Sequence, residues 1–290
     1  MIGRNKALVL LIALLAVFAL FTGACGDPDD EVEEPSAGDA TGAADPGAGE
    51  FTTKNEGRLT VGSDIPYPPF EFRKGGKLTG FDIDIIKEVG TRLGLEVTDD
   101  DIKDTSFDTI FSQLAGGAFD VVIAASTITP EREKEVNFSD PYYNAQQSLT
   151  VNTNERSDIK SIEDLGEGDV VGVQNGTTGK KYAQENVPEG VQIRSFPEGP
   201  DGYTALEAGQ VDAVINDEPT AIAEIAERPG LELVQTLETG EAYGIAVDPS
   251  NEPLLEAINQ ALADMIEDGT YEEIYSRYPD LPPGGNVAAG

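Results

Sequence analysis

The segment Thr127-Ile128-Thr129-Pro130-Glu131-Arg132 gathers groups suited to holding an anion. An arginine meets a carboxylate through a planar pair of hydrogen bonds, and the Thr127 hydroxyl adds a donor. Thr129 suits a helix N-cap, Pro130 the first helical position and Glu131 the positive helix end, so a helix is predicted to start here, with free N–H groups beside Arg132. A second seat is predicted in Gln174-Asn175-Gly176-Thr177-Thr178-Gly179, where a glycine-flanked loop runs into a helix and exposes N–H donors. The loop lacks the Gly-Lys-Ser/Thr ending of a nucleotide phosphate loop. The counter-charge stands at Asn216-Asp217, where Asp217 can hold an ammonium group. Tyr67 and Phe107 offer rings for the body of a small molecule, and Asp64 a carboxylate for its far end.

The composition removes other chemistries. The 290 residues contain no histidine and one cysteine, so no Ser-His-Asp triad, Cys-His pair or His-based zinc site can be built. No catalytic residue, metal site or cofactor is expected. Asp99-Asp100-Asp101 does not extend into a calcium loop and reads as a solvated turn. The formal charge of −35 excludes nucleic-acid binding, which needs basic patches. The acidity reads as surface solvation suited to high salt, where long-range fields are screened.

The elements that must position these groups show an internal repeat. LAGGAFDVVI at 114–123 returns as LEAGQVDAVI at 206–215. Each reads as a helix end, a glycine exit (Gly117, Gly209), an acid (Asp120, Asp212) and a short apolar strand buried on both faces. In open α/β sheets, ligands lie beyond the carboxyl ends of the strands. That rule points to Ala125, Ser126 and Thr127 in one lobe and to Asn216 and Asp217 in the other. Apolar spacing predicts helices over 82–93, around Phe107 to Leu114, and over 253–268 through Leu254, Leu255, Ile258, Leu262, Met265 and Ile266. The stretches 142–146 and 239–243 read as hinge strands. Arg132, Thr127 and the N–H groups near Thr178 would then hold an α-carboxylate, with Asp217 on an α-ammonium.

The ends read differently. Arg4 and Lys6 precede an apolar run at 7–21, too short for a comfortable membrane span of about 20 residues, so 1–24 is expected to be a signal peptide. Cys25 follows two small residues and resembles the lipidated cysteine of a bacterial lipobox, although Thr22 stands where leucine is usual. Residues 25–56 read as an acidic, disordered tether and 281–290 as a flexible tail. Between them, 57–145 with 244–280 form lobe 1, and 146–243 form lobe 2.

Seven stretches in one order carry a resemblance: VGSDIPYPPFEF at 61–72, GKLTGFDIDIIKEV at 76–89, the run from Phe107 to Tyr143, IKSIEDLGEGDVVGVQNGTTGKKYAQ at 159–184, GQVDAVINDEP at 209–219, YGIAV at 243–247 and DGTYEEIYSRY at 268–278. The chain resembles the family 3 (polar amino acid) solute-binding lipoproteins of ABC transporters. The resemblance implies a type II two-lobed α/β fold, each lobe a mostly parallel sheet flanked by helices. It also implies a hinge-closing cleft, no enzymatic activity and an extracytoplasmic, lipid-anchored monomer. Its partners would be a free polar amino acid and the permease subunits in the membrane. It supports the roles given to Asp64, Tyr67, Phe107, Thr127, Arg132, Thr178 and Asp217, adds the Ala125 carbonyl as an ammonium acceptor, and leaves Asp64, Gln174 and Asn216 to set specificity. Thr177 belongs to the carboxylate loop. Asp64 favours a basic amino acid over glutamine and disfavours glutamate. A sensing lipoprotein, or a cyclohexadienyl-dehydratase-like enzyme using Asp64 or Glu218 as its acid, are the alternatives.

Overall fold

The computed structural model describes residues 51–289. The expected signal segment, Cys25 and the tether as far as Glu50 lie outside the described residues. In chain order the strands are β1 (Val61–Ser63), β2 (Phe72–Lys74), β3 (Lys77–Thr79), β4 (Ile102–Asp104), β5 (Val121–Val122), β6 (Asn137–Phe138), β7 (Tyr143–Asn152), β8 (Val170–Gln174), β9 (Gln192–Phe196), β10 (Ala213–Asp217), β11 (Leu231–Tyr243) and β12 (Ala246–Val247). The helices are α1 (Phe81–Arg92), α2 (Ile110–Ala115), α3 (Thr178–Asn186), α4 (Gly199–Glu207), α5 (Glu218–Ala226), α6 (Glu252–Glu267) and α7 (Thr270–Tyr275).

Two five-stranded sheets follow one plan. The first runs β4-β1-β5-β12-β6 and the second β9-β8-β10-β7-β11, with β2 and β3 forming a separate hairpin. In each, three parallel strands (β4, β1, β5; β9, β8, β10) are extended by a strand that pairs antiparallel on both sides, β12 or β7. The sheets are therefore mixed rather than mostly parallel. The reason is the crossing chain: it must enter the second sheet through β7 and leave through β11, which pair with each other in opposite directions. Those two strands hold both expected hinge stretches, with Tyr143 opposite Tyr243 and Ala145 opposite Glu241.

The repeat is structural. Val61 pairs with Val121 and Val171 with Ala213 in the same parallel register. One residue earlier, Thr60 donates its N–H to the Asp120 carboxylate (2.7 Å) and accepts from the Asp120 N–H (2.9 Å). Val170 does the same with Asp212 (2.8 and 2.7 Å). Each acid thus closes the start of its strand onto its neighbour. The preceding turns need left-handed backbone at Gly117 (φ 74°) and Gly209 (φ 65°), which costs a glycine nothing sterically. Apolar side chains cover both faces of each sheet: Ile83, Ile86 and Ile258 on one side of the first, Ile110, Leu114 and Phe119 on the other. Leu149, Val171 and Ile215 lie on one side of the second, with Tyr203, Leu206 and Val214 on its other face.

Several expectations change. The helix predicted from Thr129 is a single 3-10 turn, Arg132–Lys134, because the chain must turn at once into β6. Thr129 still caps it, accepting from Arg132 N–H at 3.2 Å. The tether does not extend to residue 56: Lys54 N–H donates to Asp120 (2.7 Å) and Phe51 packs on the core. The tail is also packed. Leu281 is buried, and the Tyr275 hydroxyl donates to the Pro282 carbonyl (2.5 Å). Pro283–Gly285 and Val287–Ala289 form 3-10 turns. The turn at Asp99-Asp100-Asp101 is solvated at Asp99, which pairs with Lys87 at the surface, and at Asp100, whereas Asp101 is buried and pairs with Arg58. Ile266 points away from the α6 core face and is 39% exposed.

Candidate functional site

A strand order in which the first strand lies between the second and third opens a crevice beyond the carboxyl ends of the first and third. Here those ends are β1 and β5 in one sheet and β8 and β10 in the other, and the two crevices face each other. The cavity between them is lined by Asp64 after β1; by Ala124, Ala125 and Thr127 after β5; by Gln174, Thr177 and Thr178 after β8; and by Asp217 ending β10. Tyr67, Glu71, Phe107 and Arg132 complete the wall. Ser126, to which the strand-end rule also pointed, is not in the wall, and neither is Asn216. It supports it, accepting from the Tyr67 hydroxyl at 2.8 Å.

Polar contacts cross between the sheets. Gln174 Nε2 donates to Asp64 Oδ2 at 2.7 Å, and Arg132 Nη2 to the Gly176 carbonyl at 3.2 Å. The Thr127 and Thr178 hydroxyls lie 3.5 Å apart. Arg132 is held in place by the Thr127 carbonyl (2.6 Å), and its guanidinium packs over the Phe107 and Phe111 rings at 5.0 and 4.9 Å. Phe107 therefore carries the arginine as well as facing the cavity. The Thr177 hydroxyl is committed to capping α3: it accepts from Lys180 N–H (3.1 Å) and donates to the Gln174 carbonyl (2.9 Å). The Thr178 hydroxyl takes no part in that cap and lines the cavity.

Burial sets the charges. It pushes Asp217 up to about 7, with nearby Glu241 adding to the rise and bonds from Tyr243 and Gln147 opposing it. It pushes Asp64 up to about 7 as well, with Glu198 adding and Gln174 opposing. Arg132 is drawn down to about 10 by burial, with Asp217 and Glu241 pulling it back up. Near neutral pH both acids therefore sit close to their midpoints, and an arriving cation shifts them to the ionised form.

Beneath the cavity lies a pair that sequence reading missed. Glu71 and Asp82 are fully buried. Burial first, then the Asp82 charge, pushes the Glu71 carboxyl well above the carboxylate range and favours its neutral form beside Asp82. Asp82 in turn accepts from the Ala125 N–H (2.7 Å) and the Tyr142 hydroxyl (2.8 Å). Ala125 has φ 44°, a left-handed conformation unusual for a residue with a Cβ. Asp82 fixes that peptide in place.

Three further residues come from the hinge strands. Gln147 and Tyr243 donate to the two oxygens of Asp217. Glu241 Oε2 accepts from Thr127 (2.6 Å) and Thr178 (2.8 Å), and Gln147 Nε2 lies 3.3 Å from its other oxygen. Strand alternation carried a readable signal: Glu241 and Tyr243 share one face of β11, as Ala145 and Gln147 share one of β7.

The family model of bacterial extracellular solute-binding proteins, family 3, matches residues 59–280. The L-cystine-binding protein TcyJ of Escherichia coli (strain K12) is 34% identical over 231 residues, 78% of this chain and 84% of that protein. The ABC transporter glutamine-binding protein GlnH of Bacillus subtilis (strain 168) is 34% identical over 272 residues, 92% of this chain and 95% of its own. Among solved structures, an ancestral arginine-binding protein bound to arginine superposes with a TM-score of 0.71 at 43% identity, covering 77% of this chain and 98% of that one. The paired α/β sheets, the facing crevices and the match across 59–280 agree: the chain belongs to the bacterial extracellular solute-binding proteins, family 3.

Proposed function

We propose that the protein captures a basic L-amino acid between its two sheets and hands it to the permease of an ABC importer. The observation that carries this reading is the charge of the cavity wall. With Glu71 pushed by burial toward its neutral form, Asp64 and Asp217 stand in the wall against a single base, Arg132. An α-carboxylate on Arg132, Thr127 and the Thr178 region, an α-ammonium on Asp217 and the Ala125 carbonyl, and a cationic head on Asp64 satisfy every one of these charges. Tyr67 and Phe107 flank the aliphatic stem. Because each end of the molecule is held from both sheets, Arg132 and Ala125 from the first and Thr178 and Asp217 from the second, it stabilises the closed form by its differential affinity for that form. The resemblance of Cys25 to a lipobox supports anchoring to the outer face of the membrane, and one copy suffices for the site.

Glutamine is the second reading. Asp64 already accepts an amide N–H from Gln174, so a ligand amide could take the same place. The enzyme reading is weaker: Glu218 accepts from Thr236 and is not part of the cavity wall. A sensing lipoprotein would share this site and differ only in lacking a need for uptake. A melting-temperature screen of the twenty amino acids tests the proposal, since a ligand of the folded state alone raises the melting point by mass action. Arginine or lysine should give the largest rise, glutamine a smaller one and glutamate none. A rise with glutamate alone would overturn the proposal.

A further inference from the structure

The carboxylate seat at the junction of the sheets contains a carboxylate belonging to the chain. Glu241 Oε2 takes both threonine hydroxyls, Thr127 from the first sheet and Thr178 from the second, at 2.6 and 2.8 Å. Its charge is close enough to Arg132 and Asp217 to act on both. These are the donors that the amino-acid reading gives to an α-carboxylate. Two carboxylates cannot share one hydroxyl pair beside one guanidinium without strong repulsion. Glu241 is half-buried, on the hinge strand β11 opposite Ala145, beside the register shift between Leu237 and Glu241. A side chain there can leave the seat without unpacking a core. Asp64 and Asp217, which would serve a ligand's two cationic groups, bond neither oxygen of Glu241.

We propose that Glu241 is a resident carboxylate with two consequences for ligand choice. An amino acid must displace it, so it weakens amino-acid binding. A diamine-type cation without a carboxylate need not displace it: Glu241 supplies the missing anion, and the ammonium and the distal cation still reach Asp217 and Asp64. The cleft is therefore also a site for decarboxylated basic amino acids. This inference rests on the basic-amino-acid reading and adds a second ligand class to it.

The test compares L-arginine with its decarboxylated form, agmatine, by calorimetry on the wild-type chain and on Glu241→Gln. Gln keeps an acceptor for the threonines and removes the charge. The substitution should tighten L-arginine about tenfold and weaken agmatine about tenfold, opposite signs that a folding defect cannot produce. Glu241→Asp keeps the charge on a stem one methylene shorter and should retain part of the agmatine affinity. If Glu241→Gln weakens L-arginine, or moves both ligands equally, the inference is wrong while the reading beneath it stands. A wild-type chain that binds neither ligand rejects both.

Discussion

At equivalent points of register the two sheets carry different chemistry. Three residues after the paired Val61 and Val171 stand Asp64 and Gln174; four after the paired Val121 and Ala213 stand Ala125 and Asp217. The first pair meets across the cleft, Gln174 donating to Asp64. In the second, one member offers a backbone fixed by buried Asp82 and the other a buried carboxylate fixed by Gln147 and Tyr243. One architectural unit, used twice, thus supplies complementary halves of a single site. The scaffold residues of the repeat, Asp120 and Asp212, play the same role in both copies, whereas the residues at the strand ends differ. Position in the strand–helix unit determines where a group points, and side-chain identity at that point determines what it can hold.

The comparison can be broken most severely at Asp217. Asp217→Ala should weaken a basic amino acid more than about 100-fold, because it leaves an ammonium buried without a counter-charge. Ala125→Gly, at the equivalent position, should change affinity less than about threefold while relieving the left-handed strain. Calorimetry showing similar effects at the two positions would contradict the division of labour. Next in size is Asp64→Asn, which should weaken arginine or lysine about tenfold and leave glutamine nearly unchanged. Equal losses for all three would show that Asp64 does not read the distal group.

The acids also predict opposing pH dependences. Asp64, Asp82 and Asp217 are raised to about 7 by burial. In the unfolded chain their values are near 3.9. The folded state binds more protons between those limits, so the ligand-free protein should lose stability as pH rises from about 4 to about 7. A cationic ligand needs Asp64 and Asp217 ionised, so its affinity should rise over the same range. Melting curves with and without arginine check both signs, and parallel trends would reject the assignment. The smallest effects belong to the scaffold. Asp120→Ala should cost about 2 kcal/mol and Asp212→Ala about 1 kcal/mol in denaturant unfolding, since Asp120 is buried and serves two N–H groups of the chain start. Neither should alter ligand affinity.

Most of the cavity wall was legible because strand ends and glycine exits are written locally, as at 114–123 and 206–215. What stayed hidden depended on long-range pairing. Glu71 and Asp82 look like surface acids in sequence, and only tertiary burial raises both carboxyls above the usual carboxylate range. Glu241 meets Thr127 and Thr178 because β11 pairs with β7, and no local pattern records that register. The helix expected at Thr129 failed for a related reason: its cap is genuine, but β6 claims the chain after one turn. The packed tail was missed because Leu281 and Val287 stand apart among prolines and glycines with no helical or strand period, and their packing comes from the first sheet's core.

The most direct test of the account is whether one molecule is gripped by both sheets at once. A calorimetric double-mutant cycle with L-arginine, pairing Arg132→Lys with Asp217→Asn, measures this coupling. If both sheets close on the same zwitterion, either substitution alone should cost most of the affinity, and the double variant should be less than about tenfold worse than the weaker single one. Losses that simply add would mean that the two residues act independently, and the account of a shared, closing site would be wrong.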